Sequence, residues 1–363
     1  MSEYSQTVRN TVILIPSLDP DERLPAYVRQ LADNGFCRIV VVDDGSGEKY
    51  RDIFREVEDI PRTTVLHHEV NRGKGVALKT GYCYIRDLED EFTGVITADS
   101  DGQHTVKDCV RLAEKLADGR RALYLGSRDF NLPDIPPKSR SGNRITSAVF
   151  KALYGQWLPD TQTGLRAFHR EDIPFMTDVA GERYEYEMKV LIACSRAGLP
   201  MIPVEIETIY ENGNEGTHFH PVRDSWRIYK VILGSFFRFM SSSLFCFLLD
   251  QGIFNLMNLA VFSNGDEKKA SIILVSTVTA RVVSACTNFA LNRKYVFGSG
   301  DKAGKSFARY VLLSAGIMLC SAAGTWLLGK IGMSSTVAKI ITDTLLYFVS
   351  YRVQQRWVFR KEK

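Results

Sequence analysis

"VITADSDGQH", residues 95–104, is an apolar run that stops at two aspartates, Asp99 and Asp101, one residue apart. Two like charges that close repel, and burial strengthens the repulsion. On these residues alone two readings stand. One is a buried strand turning into an Asp-Gly loop, which is common. The other is a pair of carboxylates gathered to hold a cation.

The residues before and after show a repeating pattern. "TVILIP" is followed by a helical stretch over 23–34, "RIVVVDD" by one over 48–58, and "TTVLHH" by one over 74–90. "GVITAD" leads into a helix over 105–118, and "ALYLG" comes next. Continuous apolar strands that alternate with helices predict a parallel sheet covered on both faces. In such sheets a ligand lies beyond the carboxyl ends of the strands. Pro16-Ser17, Asp43-Asp44-Gly45-Ser46 and Asp99-Ser100-Asp101 all fall there, which favours a ligand over a plain turn. No GxGxxG follows the first strand and no GxxxxGK[ST] occurs, so a dinucleotide-binding dehydrogenase and a P-loop enzyme are poorly supported. "NRGKG", residues 71–75, precedes a helix; amides at a helix start can hold an anion, and Lys74 adds charge.

The chain has 363 residues and a net charge of +4, a length that suits two domains. Its mean hydropathy of −0.10 averages two unlike halves. From Phe239 onward the stretches 239–262, 270–291, 307–329 and 334–353 are apolar, each near the roughly 20 residues that cross a bilayer. "MSEYSQTVRN" has no apolar core of a signal peptide, and "NRKYVFGSGDKAGKS" and "RVQQRWVFRKEK" are basic. The positive-inside rule then predicts an integral protein of the cytoplasmic membrane, with four spans and with the polar half and both termini in the cytoplasm. The expected boundaries are 1–225 for the polar domain, 226–238 for an amphipathic interfacial helix and 239–363 for the membrane domain. Asp250, Arg281, Lys339 and Asp343 are costly in a bilayer and are expected to face the bundle interior, Arg281 pairing with Asp250 or Asp343. "RKYVF" and "QRWVF", at the ends of the second and fourth stretches, suggest a repeated helical hairpin. "QQRWVF" has QxRW spacing in the last span, so the QxxRW reading of processive synthases is rejected. The seven scattered cysteines read as reduced thiols.

"VVDDGSG", "NRGKGVALKTGY", "ADSDGQH", "GSRD", "DTQTGLRAF" and "YEYEMKV" follow one another in this order. Together, over residues 10–230, they resemble the GT-A glycosyltransferases that load a sugar onto a polyprenyl phosphate, the dolichol-phosphate mannose or glucose synthase group. The resemblance implies a Rossmann-like α/β domain with a mostly parallel sheet, followed by an all-α four-helix membrane domain. It implies that Asp43 and Asp44 hold the base and ribose of a nucleotide sugar, with Pro16 and Lys74 in the same set. Asp99, Asp101 and Gln103 would hold Mg²⁺ or Mn²⁺ on the diphosphate, a choice that suits oxygen ligands. Asp160, Thr161 and Gln162 would approach the sugar, and Arg166 would anchor their loop. One departure stands out: in "IPSLDPDERL" Asp19 replaces the usual Asn and Pro20 the usual Glu, leaving Asp21 or Glu22 as substitutes.

The resemblance also places acceptor-phosphate arginines near Arg128, Arg140 and Arg144, the last two sharing a helical face. The glycine-rich stretch with His218, His220 and Arg223 reads as a lid over the diphosphate. "FFRF" and "ALNRKYVF" make residues 235–360 resemble a GtrA-like domain. The expected activity is metal-dependent, inverting transfer of a hexose to undecaprenyl or dolichyl phosphate, with UDP-glucose favoured and GDP-mannose the other donor. Glycolipid translocation by the membrane half, or transfer to a diacylglycerol, is the alternative. Expected partners are the nucleotide sugar, the polyprenyl phosphate and the membrane, with no nucleic acid and a homo-oligomer allowed.

Overall fold

The computed structural model describes residues 4–132, 135, 137–207, 221–257, 270–298 and 302–359. The chain divides into two compact units, Met1–Ile232 and Leu233–Lys363.

The first unit opens with α1 (Tyr4–Arg9) and β1 (Thr11–Ser17), then α2 (Arg23–Asp33), β2 (Arg38–Asp43), α3 (Arg51–Glu58) and β3 (Thr63–His67). There follow α4 (Lys74–Arg86), β4 (Gly94–Thr97), α5 (Val106–Ala117), β5 (Leu123–Ser127) and α6 (Pro137–Tyr154). The unit continues through β6 (Arg166–His169), α7 (Ile173–Asp178), α8 (Glu185–Ala197) and β7 (Met201–Glu205). The strands form one seven-stranded sheet in the order β3-β2-β1-β4-β6-β5-β7. The pairs β1–β2, β2–β3, β1–β4 and β5–β7 are parallel, whereas β6 runs antiparallel to β4 and β5.

The five apolar runs of the sequence are β1 to β5. β6 and β7, which sequence reasoning does not single out, complete the sheet, although β7 carries an apolar run of its own, Met201-Ile202-Pro203-Val204. β6 has four residues, too few for a period to register.

Both faces of the sheet are covered, as continuous apolar strands require. Ile13 and Ile15 of β1 pack with Leu24 and Val28 of α2 and Leu112 of α5. Leu14 points to the other face, where α4 crosses. A Cβ on Gly81 of α4 would overlap the Leu14 side chain, so glycine lets this helix lie against β1. That approach also fixes the start of α4, and with it Lys74.

The second unit continues α9 (Pro221–Leu256) and adds α10 (Ala270–Leu291), α11 (Ala303–Lys330) and α12 (Ser335–Val353). The expected interfacial helix at 226–238 is no separate element: α9 runs through it unbroken. Trp226 and Tyr229, three residues apart and so on one side of the helix, have different surroundings: Tyr229 bonds the Thr146 hydroxyl at 3.1 Å, while Trp226 is 71 % exposed. The segments Ile228–Leu256, Leu274–Val296 and Ala303–Lys330 are long and apolar enough to cross a membrane. α12, expected as a fourth span, is not among them; it carries Lys339, Asp343 and Arg352 within 19 residues.

The repeat suggested by "RKYVF" and "QRWVF" has a structural counterpart. α10 and α12 each end in a π-helical turn, Asn292–Val296 and Gln354–Val358. The Phe297 N–H donates to the Asn292 carbonyl and the Phe359 N–H to the Gln354 carbonyl, both at 2.9 Å. Arg238 of "SFFRF" donates to the Tyr295 carbonyl at 3.3 Å, and Arg309 of "SFARY" to the Trp357 carbonyl at 3.0 Å. Between the two turns the Asn292 amide donates to the Gln354 side-chain oxygen at 3.0 Å, and Phe297 and Phe359 stack with centroids 5.3 Å apart.

Asp250 is buried and accepts from Ser284 at 3.1 Å, with the Arg281 Nε at 3.6 Å. Of the two partners expected for Arg281, the structure selects Asp250, but the Arg281 side chain is 72 % exposed instead of facing the bundle interior. Lys339 and Asp343 instead pair with each other at 2.9 Å on an exposed face of α12, not in the bundle interior. Their four-residue spacing lets one helix satisfy both charges.

Gly81→Ala tests the α4–β1 approach. Overpacking a filled core costs about 1–3 kcal/mol. A lowered midpoint in a circular-dichroism melt is expected, and an unchanged one would show that α4 can move away freely.

Candidate active site

Parallel pairing in register sets Ser17 of β1 beside Asp43 of β2, with β4 on the other flank of β1. The loops leaving these strands therefore meet at one edge, and they carry most of the site's carboxylates. Each of those carboxylates needs a counter-charge or donors, because unpaired buried charge is expensive.

Asp99 has the strongest partner. Its Oδ1 lies 2.6 Å from the Lys74 Nζ, and its Oδ2 lies 3.2 Å from the His104 Nε2. Lys74 reaches a second carboxylate, Glu187 of α8, at 3.1 Å. Burial opposes ionisation of Asp99, yet the Lys74 charge holds its carboxyl well below the usual range. Lys74 is likewise buried, and Asp99 and Glu187 keep it protonated well above the usual lysine value. Asp101 differs. It accepts the Gln103 N–H at 3.0 Å, and burial together with the Asp99 charge pushes its pKa up. The acidic pair is thus uneven, with one member compensated by an ammonium and the other mainly by a backbone amide.

The 160–166 loop closes over this pair. Thr97, the last residue of β4, donates its hydroxyl to the Gly164 carbonyl at 2.8 Å. A Cβ on Gly164 would overlap the Asp99 carboxylate, so only glycine lets the loop sit this close. Asp160, fully buried, takes both ends of the Arg128 guanidinium at 2.7 and 3.3 Å and the Gln162 N–H at 3.0 Å. Asn143 of α6 spans the loop start, donating to the Pro159 carbonyl and accepting from the Thr161 N–H. Arg166 is buried and donates to the Thr163 and Glu187 carbonyls at 3.0 and 2.8 Å.

Asp43 and Asp44 are held by the protein itself. Asp43 accepts from the Ser46 N–H at 2.9 Å and pairs with His67 at 2.9 Å. Burial works against a charged His67, but Asp43 and Glu58 hold its pKa above the usual histidine value. Asp44 accepts from the Arg72 and Gly73 N–H groups at 3.0 and 2.7 Å and pairs with His68 at 2.8 Å. The amides of "NRGKG", expected to cradle a ligand anion, thus bind the Asp44 carboxylate. Its two glycines serve packing: a Cβ on Gly73 or Gly75 would meet the backbone of Glu182.

Asp19 takes a positive φ of 49° and donates its N–H to the Ser46 hydroxyl at 2.9 Å, while Asp21 is engaged by Arg23. On the acceptor side Arg128 is paired with Asp160, and Arg140 donates to the Leu132 carbonyl at 2.8 Å. Arg144 is exposed, with no ion pair among the described residues. Neither Arg140 nor Arg144 forms an ion pair with Asp99 or Asp101 among the described residues. Pro16 is buried at the end of β1. His218 and His220 lie outside the described residues, as does the side chain of Arg223.

His104, Glu187, Gly164 and Asn143 belong to the site, and sequence reasoning does not single them out. His104 and Glu187 stand within "ADSDGQH" and "YEYEMKV", but which oxygens they meet depends on folding. Among the described residues no group of three or more Asp, Glu, His or Cys is placed to cage a metal. Two carboxylates on one loop, one already bearing a cationic group, suit a cation whose remaining ligands come from a phosphate.

Residues 12–174 match the family described as "Glycosyl transferase family 2", and residues 238–359 match "GtrA/DPMS, transmembrane domain". An uncharacterized protein of Methanocaldococcus jannaschii is 29 % identical over 229 residues, covering 62 % of this chain and 92 % of that protein. The UDP-N-acetylglucosamine–dolichyl-phosphate N-acetylglucosaminyltransferase of Methanococcus voltae is 26 % identical over 215 residues, 54 % of this chain and 85 % of its own. The undecaprenyl-phosphate 4-deoxy-4-formamido-L-arabinose transferase of Photorhabdus laumondii is 25 % identical over 181 residues, 47 % of this chain and 52 % of its own.

Gly164→Ala is expected to displace the Asp99 carboxylate and weaken Mn²⁺ binding in the presence of UDP about tenfold or more, a loss of about 1.4 kcal/mol. The free Mn²⁺ signal in electron paramagnetic resonance measures it. Native affinity in the variant would show that the loop and Asp99 do not constrain each other.

Proposed function

We propose, from the match of residues 12–174 to glycosyl transferase family 2 and of residues 238–359 to the GtrA/DPMS transmembrane domain, that this chain transfers a hexose from a UDP-sugar to a polyprenyl phosphate. The observation that carries the reading is the Asp99–Asp101 loop at the sheet's carboxyl edge, with Lys74 on Asp99. The acceptor class is supported by the names of the two relatives that act on dolichyl and undecaprenyl phosphate. A UDP donor is supported by the name of the first of these. UDP-glucose and UDP-N-acetylglucosamine are the donors to test first.

Asp99, Asp101 and Gln103 would hold Mg²⁺ or Mn²⁺ against the diphosphate. When bound, the ion would stabilise the charge that develops on the leaving nucleoside diphosphate. Lys74 would bring an ammonium to the same charge. The DTQTG loop, pinned by Thr97, Asn143 and Arg166, orients the sugar. Arg144 binds the acceptor phosphate, and Asp160 positions Arg128 for the same task.

A phosphate monoester is already anionic near neutral pH, so no strong general base is required. Its oxygen attacks the anomeric carbon as the bond from that carbon to the diphosphate oxygen breaks. One displacement inverts the anomeric centre. Positioning and charge stabilisation supply the rate. The membrane unit anchors the enzyme through four spans, α12 being the fourth, with the transferase domain and both termini on the cytoplasmic side. The basic segments after α10 and α12 support this orientation.

Transfer of radiolabelled sugar from UDP-glucose, UDP-N-acetylglucosamine and GDP-mannose to undecaprenyl phosphate tests the reading, in membranes with Mg²⁺, Mn²⁺ or EDTA. One UDP-sugar should label the lipid, with the label abolished by EDTA. No label in the lipid from any donor, with the protein folded and inserted, would sink the acceptor assignment. Asp101→Asn should lower kcat/KM by about 10²–10³-fold, the usual scale for a lost charge-stabilising group.

Arg144→Ala should raise the acceptor KM by about tenfold with the donor KM unchanged, since a hydrogen bond to a charged group is worth about 1.5–3 kcal/mol. An unchanged acceptor KM would remove Arg144 from the acceptor site.

A further inference from the structure

Lys74 sits between two carboxylates, 2.6 Å from Asp99 Oδ1 and 3.1 Å from Glu187 Oε1, with the Tyr184 ring 6.0 Å away. The three charged side chains come from three elements: the start of α4, the loop after β4 and the first turn of α8. Each is tied down separately. Gly73 and Gly75 pack α4 against residues 182–186, Gly164 abuts Asp99, and the Glu187 carbonyl accepts from Arg166. The ammonium therefore has little freedom to leave both carboxylates at once.

From this arrangement we infer that Lys74 competes with the divalent cation for Asp99, and that Glu187 is a positioning residue that sets the competition by holding Lys74. The inference rests on the cation-assisted reading above. An ammonium at 2.6 Å from a carboxylate oxygen repels a divalent ion on the same carboxylate, because like charges that close interact strongly in a partly buried site. Glu187 offers the ammonium a second anchor. With a cation held by Asp99, Lys74 would shift its pairing toward Glu187, which would leave its charge available to the donor's diphosphate. No bond is made or broken in this step; one ionic contact weakens as another strengthens.

The competition has a signature that a merely structural salt bridge lacks. Removing the lysine charge should strengthen binding of the bare ion and weaken binding of the anionic nucleotide. Removing the Glu187 charge should do the reverse for the ion, since Lys74 then depends wholly on Asp99. The two neutral variants should thus move Mn²⁺ affinity in opposite directions.

The test uses the full chain in detergent, with Mn²⁺ and UDP as probes. Mn²⁺ binding without nucleotide is read by electron paramagnetic resonance, and UDP binding with Mg²⁺ by calorimetry. Lys74→Met should bind Mn²⁺ about tenfold more tightly than the native protein and UDP about tenfold more weakly, each about 1.4 kcal/mol. Glu187→Gln should bind Mn²⁺ several-fold more weakly. Circular dichroism checks that each variant is folded, and if Lys74→Met does not fold, Glu187→Gln decides alone. Unchanged or weaker Mn²⁺ binding by folded Lys74→Met, or unchanged binding by Glu187→Gln, overturns the competition. Asp101→Asn separates the two levels: if it binds Mn²⁺ as well as the native protein, the cation site itself is wrongly placed and the inference falls with it.

Discussion

The transferase half depends on one electrostatic constraint. Parallel strands in register deliver several carboxylates to one edge of the sheet, where each must be compensated or remain costly. Asp43 takes His67 and a turn amide, Asp44 takes the amides at the start of α4 and His68, and Asp160 takes Arg128. Asp99 takes Lys74 and His104. These pairings tie the loops to one another: Asp44 joins the loop after β2 to the start of α4, and Lys74 joins the start of α4 to α8. The architecture of the edge is therefore a set of ion pairs and amide–carboxylate bonds, and the packing beneath it exists to hold those partners at distance. Asp101 is the exception, with a backbone amide as its partner and a raised pKa. Among carboxylates of one edge, the least compensated has the most to gain from an arriving cation.

The membrane half meets its constraint differently. Polar groups in apolar helices gain little from water, so they pair within the protein. The amides of Asn292 and Gln354 meet each other at the turns that end α10 and α12. A π-helical turn offsets the ladder by one residue and leaves carbonyls unclaimed by the helix. In both turns an arginine from the preceding helix of the same hairpin, Arg238 or Arg309, donates to such a carbonyl. The same remedy used twice, on "SFFRF" with "RKYVF" and on "SFARY" with "QRWVF", is what two copies of one hairpin would produce. It also gives α12 a place equivalent to that of α10 despite its charged residues.

Much of this is legible in the sequence because burial on both faces writes itself as uninterrupted apolar runs. β1 to β5 and the Asp99–Asp101 loop follow from such runs alone. β6 is a four-residue strand beginning with a buried arginine, and it runs against its neighbours. Neither its polarity nor its direction has a local signature. The same holds for Glu187, whose position in the first turn of α8 gives no hint that it reaches Lys74. Gly164 reads as a turn glycine until the Asp99 carboxylate is seen against it. Residues that act through distant partners are silent in a sequence, whereas residues that act through their own chemistry are not.

The expected nucleotide contacts illustrate the same division. Asp43 and Asp44 are the residues expected to touch base and ribose, and in the fold their oxygens accept from neighbouring amides and histidines. A carboxylate oxygen can accept more than one donor, so a hydroxyl of the ligand can still be added to these partners. What the existing bonds do is fix the oxygen's direction before any ligand is bound. Such preorganisation would lower the entropy cost of recognising a ligand, since a side chain already held by hydrogen bonds has fewer rotamers to lose. If Asp43 and Asp44 contact a nucleotide as the sequence suggests, the partners that constrain them would be as much a part of that recognition as the carboxylates themselves, and His68, buried between Asp44 and the Thr80 hydroxyl, is the clearest of them.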